Sequence, residues 1–440
     1  MAIEAPQKIA SCSLVLNLLG EQGLMVHLAN SSLTAYWRMR IRMLLKTNYW
    51  RQQAMELSEQ LVQMRRHIHK YPELGYREVE TARYLTDLLR EEGIEVLEKV
   101  GGTGLVATII GAAPGRTIAL RADLDALPIH EKTGKPYASC ISGISHACGH
   151  DAHSAMLAGT AILLQRHRRR IAGTVKCIFQ PAEECPPLGG VRPMIEDGVL
   201  DNPQVDAIYG LHVTADLPVG MIGIASGQAM AASDRVEIKI VGSGGHGSAP
   251  QQAVDAVLVA AHTVVALQSI VSRNTSPHQA AVLGVGVLKA GYRYNVIADT
   301  ALLDCTVRTL DIHTRQLMQD RIEQIVEGIT KAMGARYEMR YVAGYPPAAN
   351  CQEQVNQVVQ ASEATLGSES VTWFERPSLT GEDFAHFLEH IPGAFFWLGS
   401  RLSDGRKQHP VHHPGFDVDE DVLPVGVAIY CRLIEQELFR

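Results

Sequence analysis

The chain has 440 residues, 46% of them apolar and 20% charged, the profile of an ordinary globular protein of two or three domains and not of a disordered, collagenous or coiled-coil one. A formal charge of −7 offers no basic balance suited to nucleic acid. Histidine is the departure, with 18 His against 11 Lys, so composition directs attention to where the histidines gather.

Residues 1–51 stand apart from the rest. Six basic residues (Lys8, Arg38, Arg40, Arg42, Lys46, Arg51) outweigh Glu4 and Glu21, which puts +4 on this segment and −11 on the remainder. The apolar run 14–28 is broken by Asn17, Glu21, Gln22 and His27 and is too short and polar to span a bilayer. Its arginines follow the run, whereas a secretory signal carries its charge before it. The segment reads as an appended, poorly structured extension.

From residue 52 the pattern becomes regular. Leu57, Leu61 and Met64 predict a helix over 54–71 closed by Pro72, and a second helix over 78–91 stopped by Gly93. Strands are expected at 106–110 and 117–120, then a helix at 154–164 with Met156, Leu157, Ala161 and Leu164 on one side, then strands at 175–179 and 207–211. Alternating strands and helices predict an α/β layer structure with a mostly parallel sheet. The pattern changes at 234: strand 235–241, helix 253–270, strands 281–289 and 301–310, helix 314–333 and strand 336–342 follow the β-α-β-β-α-β order of a ferredoxin-like sandwich. Helices at 354–366, 383–390 and 423–438 and a strand at 394–398 complete the chain. The expected fold class is therefore α/β: a discontinuous domain built from 52–233 and 344–440 around a mostly parallel sheet, with an inserted ferredoxin-like α+β domain at 234–343.

Eight cysteines without a CxxC pair give no disulfide framework and suit a reducing, cytoplasmic setting. Ligand-type residues recur just past the expected strands: Asp123 and Asp125 after 117–120, Glu183 and Glu184 after 175–179, and His212 after 207–211. Sites in open α/β sheets lie outside the carboxyl ends of the strands, so these turns face one crevice. The densest motif, His146-Ala-Cys-Gly-His-Asp-Ala-His153, sits between them, ahead of a helix. Each residue alone reads as a turn, a solvated face or a structural histidine; their joint occurrence does not. Cys148 and His150 flank Gly149 and reach one point. With Glu184 and His212 they supply S, N and O donors suited to a borderline metal such as Zn, with Mn, Co and Ni tolerated. Adjacent Glu183 and Glu184 project to opposite sides of an extended segment, so one can ligate while the other acts as a base. The cluster His409, His412, His413 is either an exposed loop or the return of a last ligand. A metal-free alternative makes Cys148 a nucleophile with His150 or His153 as its base.

These residues resemble the M20 metallopeptidase/amidohydrolase family, in its branch of N-acyl-amino-acid amidohydrolases. The resemblance runs over residues 55–438 and is carried by Arg66-His-Ile-His-Lys-Tyr-Pro-Glu-Leu74, Arg121-Ala-Asp-Leu-Asp-Ala-Leu-Pro128, the His146–His153 block, Pro181-Ala-Glu-Glu184, Gly244-Gly-His-Gly-Ser-Ala-Pro250, Asn295-Val-Ile, Gly381-Glu-Asp-Phe384 and His412-His-Pro414. It implies two divalent metal ions per subunit on Cys148, His150, Glu184, His212 and His412, with the thiolate bridging and Glu183 as general base. It adds Asp125 to the catalytic set and makes the inserted domain a lid and dimerisation domain. From there His246 would reach the neighbouring subunit's site in a homodimer, while Asn295, Arg308 and Gly381 would bind the substrate. The implied reaction is hydrolysis of N-acyl amino acids, with a dipeptidase or carboxypeptidase as the alternative, and with no nucleic-acid or membrane partner. Pro186 and Pro187, Gln251 and Ala298 depart from the branch's usual residues; none of these is a proposed ligand.

Overall fold

The computed structural model describes residues 49–439; the extension over 1–48 lies outside the described residues. Helices α1 (Tyr49–Glu56) and α2 (Ser58–Lys70) open the chain. The single helix expected over 54–71 is thus split near Leu57 and begins at Tyr49, inside the segment assigned to the extension. A tertiary contact explains the earlier start: Trp50 is buried and packs edge-on against Phe439 at 5.7 Å between ring centroids. Leu61, Met64 and Ile68 form the buried stripe of α2.

Helix α3 (Val79–Glu91) leads into β1 (Glu95–Val100), β2 (Gly104–Ile110) and β3 (Ala113–Asp123). After a long loop come α4 (His150–Arg166), β4 (Ala172–Gln180), α5 (Val191–Glu196), β5 (Ala207–Pro218), β6 (Ile222–Ile224) and β7 (Gly227–Met230). The next segment holds β8 (Ala232–Val241), β9 (Gly245–His246), α6 (Ala256–Ser269), β10 (Ala281–Ala290), β11 (Val296–Ile297), β12 (Thr300–Thr309), α7 (Ile312–Ala332) and β13 (Arg336–Tyr345). The chain ends with β14 (Ala348–Asn350), α8 (Gln352–Leu366), β15 (Val371–Trp373), α9 (Ala385–Leu388), β16 (Gly393–Arg401) and α10 (Val422–Leu438).

The large sheet has eight strands in the order β1-β2-β4-β3-β5-β16-β6-β15. Its centre, β4-β3-β5-β16, is parallel. Two sequence segments build it, since β16 comes from the chain's last quarter yet lies between β5 and β6. Helix α4 is buried throughout Ala152–Leu164 and not on one side as expected. Helices α2 and α10 cover the side turned from the sheet, so closely that a Cβ on Gly159 would stand 2.4 Å from Leu61. The helix also starts four residues early, which puts His150 and His153 in its first turn.

The second sheet is antiparallel, in the order β10-β12-β8-β13. Val236, Ile238 and Ile240 of β8 face a core shared with α6 and α7. Arg235, Glu237 and Lys239 alternate outward and pair with Asp304, Arg340 and Glu338. The stretch Ala256–Asn274 is long and apolar enough to cross a membrane by length and composition, yet Val259, Ala260, Thr263 and Leu267 are buried in this domain's core.

The helix expected over 383–390 shrinks to α9 because Asp383 has other partners. Its carboxylate accepts from Gln180 Nε2 at 2.7 Å and from the Gly190 amide at 2.9 Å. A second polar knot fixes the other side of the sheet. Arg65 of α2, 1% exposed, donates to Asp151 at 2.7 Å, Asp417 at 3.0 Å and Glu420 at 3.1 Å. Removing the cation would leave buried Asp151 with His69, and buried Asp417 with Arg406 and Lys135, as their remaining ion-pair partners. Arg65→Ala is therefore expected to cost about 3–5 kcal/mol of stability, read as a lower urea midpoint; an unchanged midpoint would refute the role given to this network.

Candidate metal centre

Gly149 is the pivot of the centre. Its φ of +94° is in the left-handed region, and a Cβ there would stand 2.5 Å from Val213; glycine alone meets both demands. The turn brings Cys148 and His150 to one place at the start of α4. His150 Nδ1 donates to the Asp125 carbonyl at 2.9 Å, and its Nε2 is buried with no hydrogen-bond partner. His212 Nδ1 donates to the Val213 carbonyl at 2.7 Å, leaving Nε2 at 3.4 Å from the Cys148 sulfur. Glu184 reaches His412 Nε2 at 2.9 Å. The His412 backbone, at φ +63°, donates to the Ala147 carbonyl at 2.7 Å, so this C-terminal residue is pinned beside Cys148.

His212 lies inside β5 and not past its end. Strand β3 pairs with β5 only as far as Gly210, so His212 lies just beyond the last paired residue, level with Asp123 at the end of β3. The sulfur, nitrogen and carboxylate donors fall into overlapping triads whose atoms lie within 4.8 Å of one another: Cys148–His150–His212, Cys148–Glu184–His412 and His150–Glu183–Glu184. Cys148 belongs to two of them. An orphaned imidazole nitrogen facing buried S and O donors fits a metal pair, and the soft sulfur suits Zn. His153 is saturated, donating to Asp123 at 2.6 Å and accepting from the Val213 amide at 2.9 Å, so it orients its neighbours.

The electrostatics favour cations. Against the opposing effect of burial, Asp123 and Asp125 raise His150 to about 10. Burial, with Glu184 and Glu183, pushes the Cys148 thiol well up. Burial, with Glu382 and Glu184, pushes Glu183 above the usual carboxylate range. Burial and His153 hold His212 at about 3, a neutral imidazole. The Glu183 carboxylate accepts no hydrogen bond from the described residues, while its carbonyl accepts from Tyr345 at 2.5 Å.

Asp125 is a brace: besides His150 it holds the Glu184 amide at 2.9 Å. Arg308 and Gly381 are brought near each other through Ser233, which pairs with Arg308 and packs 2.8 Å from where a Gly381 Cβ would stand. Asn295 and His246 lie elsewhere, on the β9–β11 pair. His246 is exposed, and among the described residues its ring bonds only to Ser248. Because the Ser248 amide donates to Nδ1, the ring proton is on Nε2. Sequence reasoning gave no role to Arg121, Glu382 or Tyr345. Fully buried Arg121 donates to Asp123 at 2.8 Å, Glu382 at 2.9 Å and Asp383 at 3.2 Å. The signal was present, since Arg121 and Glu382 stand within motifs already singled out and a charge in an apolar strand requires partners.

Comparison with known proteins gives the family. Residues 119–436 match peptidase family M20/M25/M40. The chain is 42% identical over 367 residues to an N-acetyl-L-cysteine deacetylase of Bacillus subtilis, covering 83% of this chain and 85% of that protein. It is 39% identical over 380 residues to thermostable carboxypeptidase 1 of Saccharolobus solfataricus, covering 86% and 95%. The crystal structure of the Bacillus subtilis YXEP protein, described as a dinuclear metal-binding peptidase of the M20 family, superposes with a TM-score of 0.75 at 38% identity, covering 86% of this chain and 98% of that one. With its motifs, its fold and these relatives in accord, the chain belongs to peptidase family M20/M25/M40 and is a hydrolase.

Proposed function

We propose that the chain is a metal-dependent amidohydrolase that cleaves N-acyl amino acids to a carboxylate and a free amino acid. The observation that carries this reading is the sharing of Cys148 by two donor triads, with Glu183 beside them and its carboxylate unengaged. Cys148, His150, Glu184, His212 and His412 would hold two divalent ions, Zn or Mn, with Co and Ni also accepted. When bound, such a pair supplies Lewis-acid polarisation and a lowered pKa for water. Glu183 takes the proton of the attacking water, whose oxygen bonds to the acyl carbon. As the C–N bond breaks, Glu183 returns that proton to the leaving amine. Asp125 orients His150 and Glu184. Arg308, whose guanidinium among the described residues bonds only Thr306 and the Val307 carbonyl, keeps donors for a substrate carboxylate, and Gly381 and Asn295 complete its binding.

The unit over 234–343 acts in this reading as a lid and dimerisation domain. His246, with Nε2–H free to donate, would hold the developing oxyanion in a second copy's site. A reducing, cytoplasmic setting suits a free active-site thiol. The deacetylase relative supports an N-acyl substrate; the carboxypeptidase relative supports, as a second reading, a peptide substrate.

The deciding experiment is a hydrolysis panel of N-acetyl, N-benzoyl and aryl-acetyl amino acids and dipeptides. It is run on chelator-treated protein with each metal restored. N-acyl substrates are expected to be cleaved only after Zn or Mn is returned; activity surviving chelation would refute the metal dependence, and a required free α-amine would favour the peptidase reading. Glu183→Gln should retain its metal by mass spectrometry while turnover falls ~10²–10⁴-fold; near-normal turnover would remove Glu183 as the base. His246→Ala is expected to lose ~10²–10³ in kcat and to recover part of it when mixed with Glu183→Gln. Absence of recovery would argue against a site shared between subunits.

A further inference from the structure

The tetrad Pro181-Ala-Glu-Glu184 carries both carboxylates of the proposed reaction, and its backbone is held at three successive points. The Glu184 amide donates to Asp125 at 2.9 Å, and the Glu183 carbonyl accepts from the Tyr345 hydroxyl at 2.5 Å. The third point is the Ala182 amide, which donates to Glu78 Oε1 at 2.7 Å. Ala182 is fully buried at φ +54°, a left-handed conformation that a side chain with a Cβ disfavours. Such a residue persists only where its surroundings over-determine it.

Glu78 comes from the N-terminal end of α3, about a hundred residues upstream. A residue at that position ordinarily turns its side chain onto its own helix's amides, but Glu78 makes no such bond. Glu73 does that work instead, accepting from the Thr81 amide at 2.8 Å and the Thr81 hydroxyl at 2.9 Å. Glu78 is thereby free to turn inward, where it is 0% exposed and its second oxygen accepts from the Thr103 hydroxyl at 2.5 Å. No cation among the described residues forms an ion pair with it. Burial, with Asp125 nearby, pushes its carboxyl up to about 7. A buried carboxylate facing only neutral donors is costly to keep, and its one link to the rest of the site is the Ala182 amide.

We propose that Glu78 is a positioning residue for the Glu183–Glu184 pair, holding the left-handed Ala182 so that one carboxylate faces the donor triads and the other the attacking water. Glu78 touches neither substrate nor metal ligand; it acts through one peptide group. Placement errors of about 1 Å at a reacting group cost on the order of 10²-fold in rate, so the effect belongs in kcat.

The test uses the full chain, metal-restored, with an N-acetyl amino acid. Glu78→Ala is expected to lose on the order of 10²-fold in kcat, with KM and metal content unchanged. Hydrogen–deuterium exchange over 181–184 should rise. Glu78→Gln keeps an oxygen for the Ala182 amide and should restore kcat to within about tenfold of wild type, the cost of one substituted hydrogen bond. Adding Ala182→Gly to Glu78→Ala should recover part of the loss, because glycine takes this φ without strain. A Glu78→Ala enzyme with unchanged kcat and unchanged exchange would overturn the proposal, as would a loss that Glu78→Gln does not relieve. If Glu78→Ala does not fold, Thr103→Val, which leaves Glu78 one partner, should lower kcat several-fold with metal retained, and an unchanged kcat there is equally fatal. The inference rests on Glu183 as the base. An active Glu183→Gln enzyme refutes that assignment whatever Glu78 does; an inactive one beside a fully active Glu78→Ala refutes only the clamp.

Discussion

The structure is organised around a crowd of carboxylates withdrawn from water. Asp123, Asp125, Glu183, Glu382 and Asp383 are all buried at one rim of the large sheet, with Glu184 beside them. Burying charges costs several kcal/mol each unless they are paired or hydrogen-bonded. Arg121 offsets part of this, bridging Asp123, Glu382 and Asp383 from a position with no exposure. Backbone amides take more: Gly190 and Val191 donate to Asp383, and Glu184 donates to Asp125. Those contacts join the ends of β3 and β4 to the turn before α9, so satisfying the charges is also what assembles the rim. The Glu183 carboxylate remains the least compensated of these, while Glu184 leans on His412, in the place where the sulfur and imidazole donors converge.

That surplus decides between the chemistries open to Cys148. A nucleophilic cysteine needs a cationic or dipolar neighbour to lower its pKa. Here burial, Glu184 and Glu183 all act in the opposite direction, and the nearest imidazole, His212, is held neutral. Of the two bases that the sequence offered, His153 spends both ring nitrogens on Asp123 and Val213, and His150 spends Nδ1 on Asp125. His150, raised to about 10, is one cationic neighbour, but Glu183, Glu184 and Asp123 outweigh it at the sulfur, so a thiolate here calls for further positive charge, which divalent cations would supply. The carboxylates that make a free nucleophile unfavourable are the ones that make the pocket a cation site.

Much of this was legible in the sequence because local chemistry wrote it there. The Cys148-Gly-His150 turn needs its glycine for conformation and for space beside Val213. The glutamate pair departs from expectation: Glu183 and Glu184 lie in a turn after the left-handed Ala182, not on an extended segment, and each brings a carboxylate oxygen within 4.8 Å of the same His150 nitrogen. The alternating strands of the second sheet and its paired helices were equally plain. Less visible was whatever depends on partners distant in sequence. Trp50 extends the first helix because of Phe439, and no local pattern reports that. Asp383 takes its segment out of a helix by binding Gln180 and two amides. Strand β5 passes His212 because β16 accompanies it, whereas its pairing with β3 stops at Gly210. Glu78 read as an ordinary helix start, and only the fold reveals that Glu73 has taken over its capping role.

The two sheets meet the chemistry differently, and this bears on the source of His246. The end of the second sheet is fastened to the site: Tyr345 holds the Glu183 carbonyl, and Ser233, paired with Arg308, packs against Gly381. Within that unit, Arg315 ties α7 to the sheet through Asp234 at 2.6 Å and the Gly344 carbonyl at 3.0 Å. The β9–β11 pair, with His246 exposed, has no such fastening to the donor triads. Swinging β9–β11 onto its own chain's centre would have to leave the Tyr345 anchor in place or break it, and breaking it would release the backbone that carries Glu183, the proposed base. A second copy presenting its β9–β11 pair asks for neither change. In the proposed reading, an oxyanion donor supplied between subunits would leave the Tyr345 anchor on Glu183 untouched.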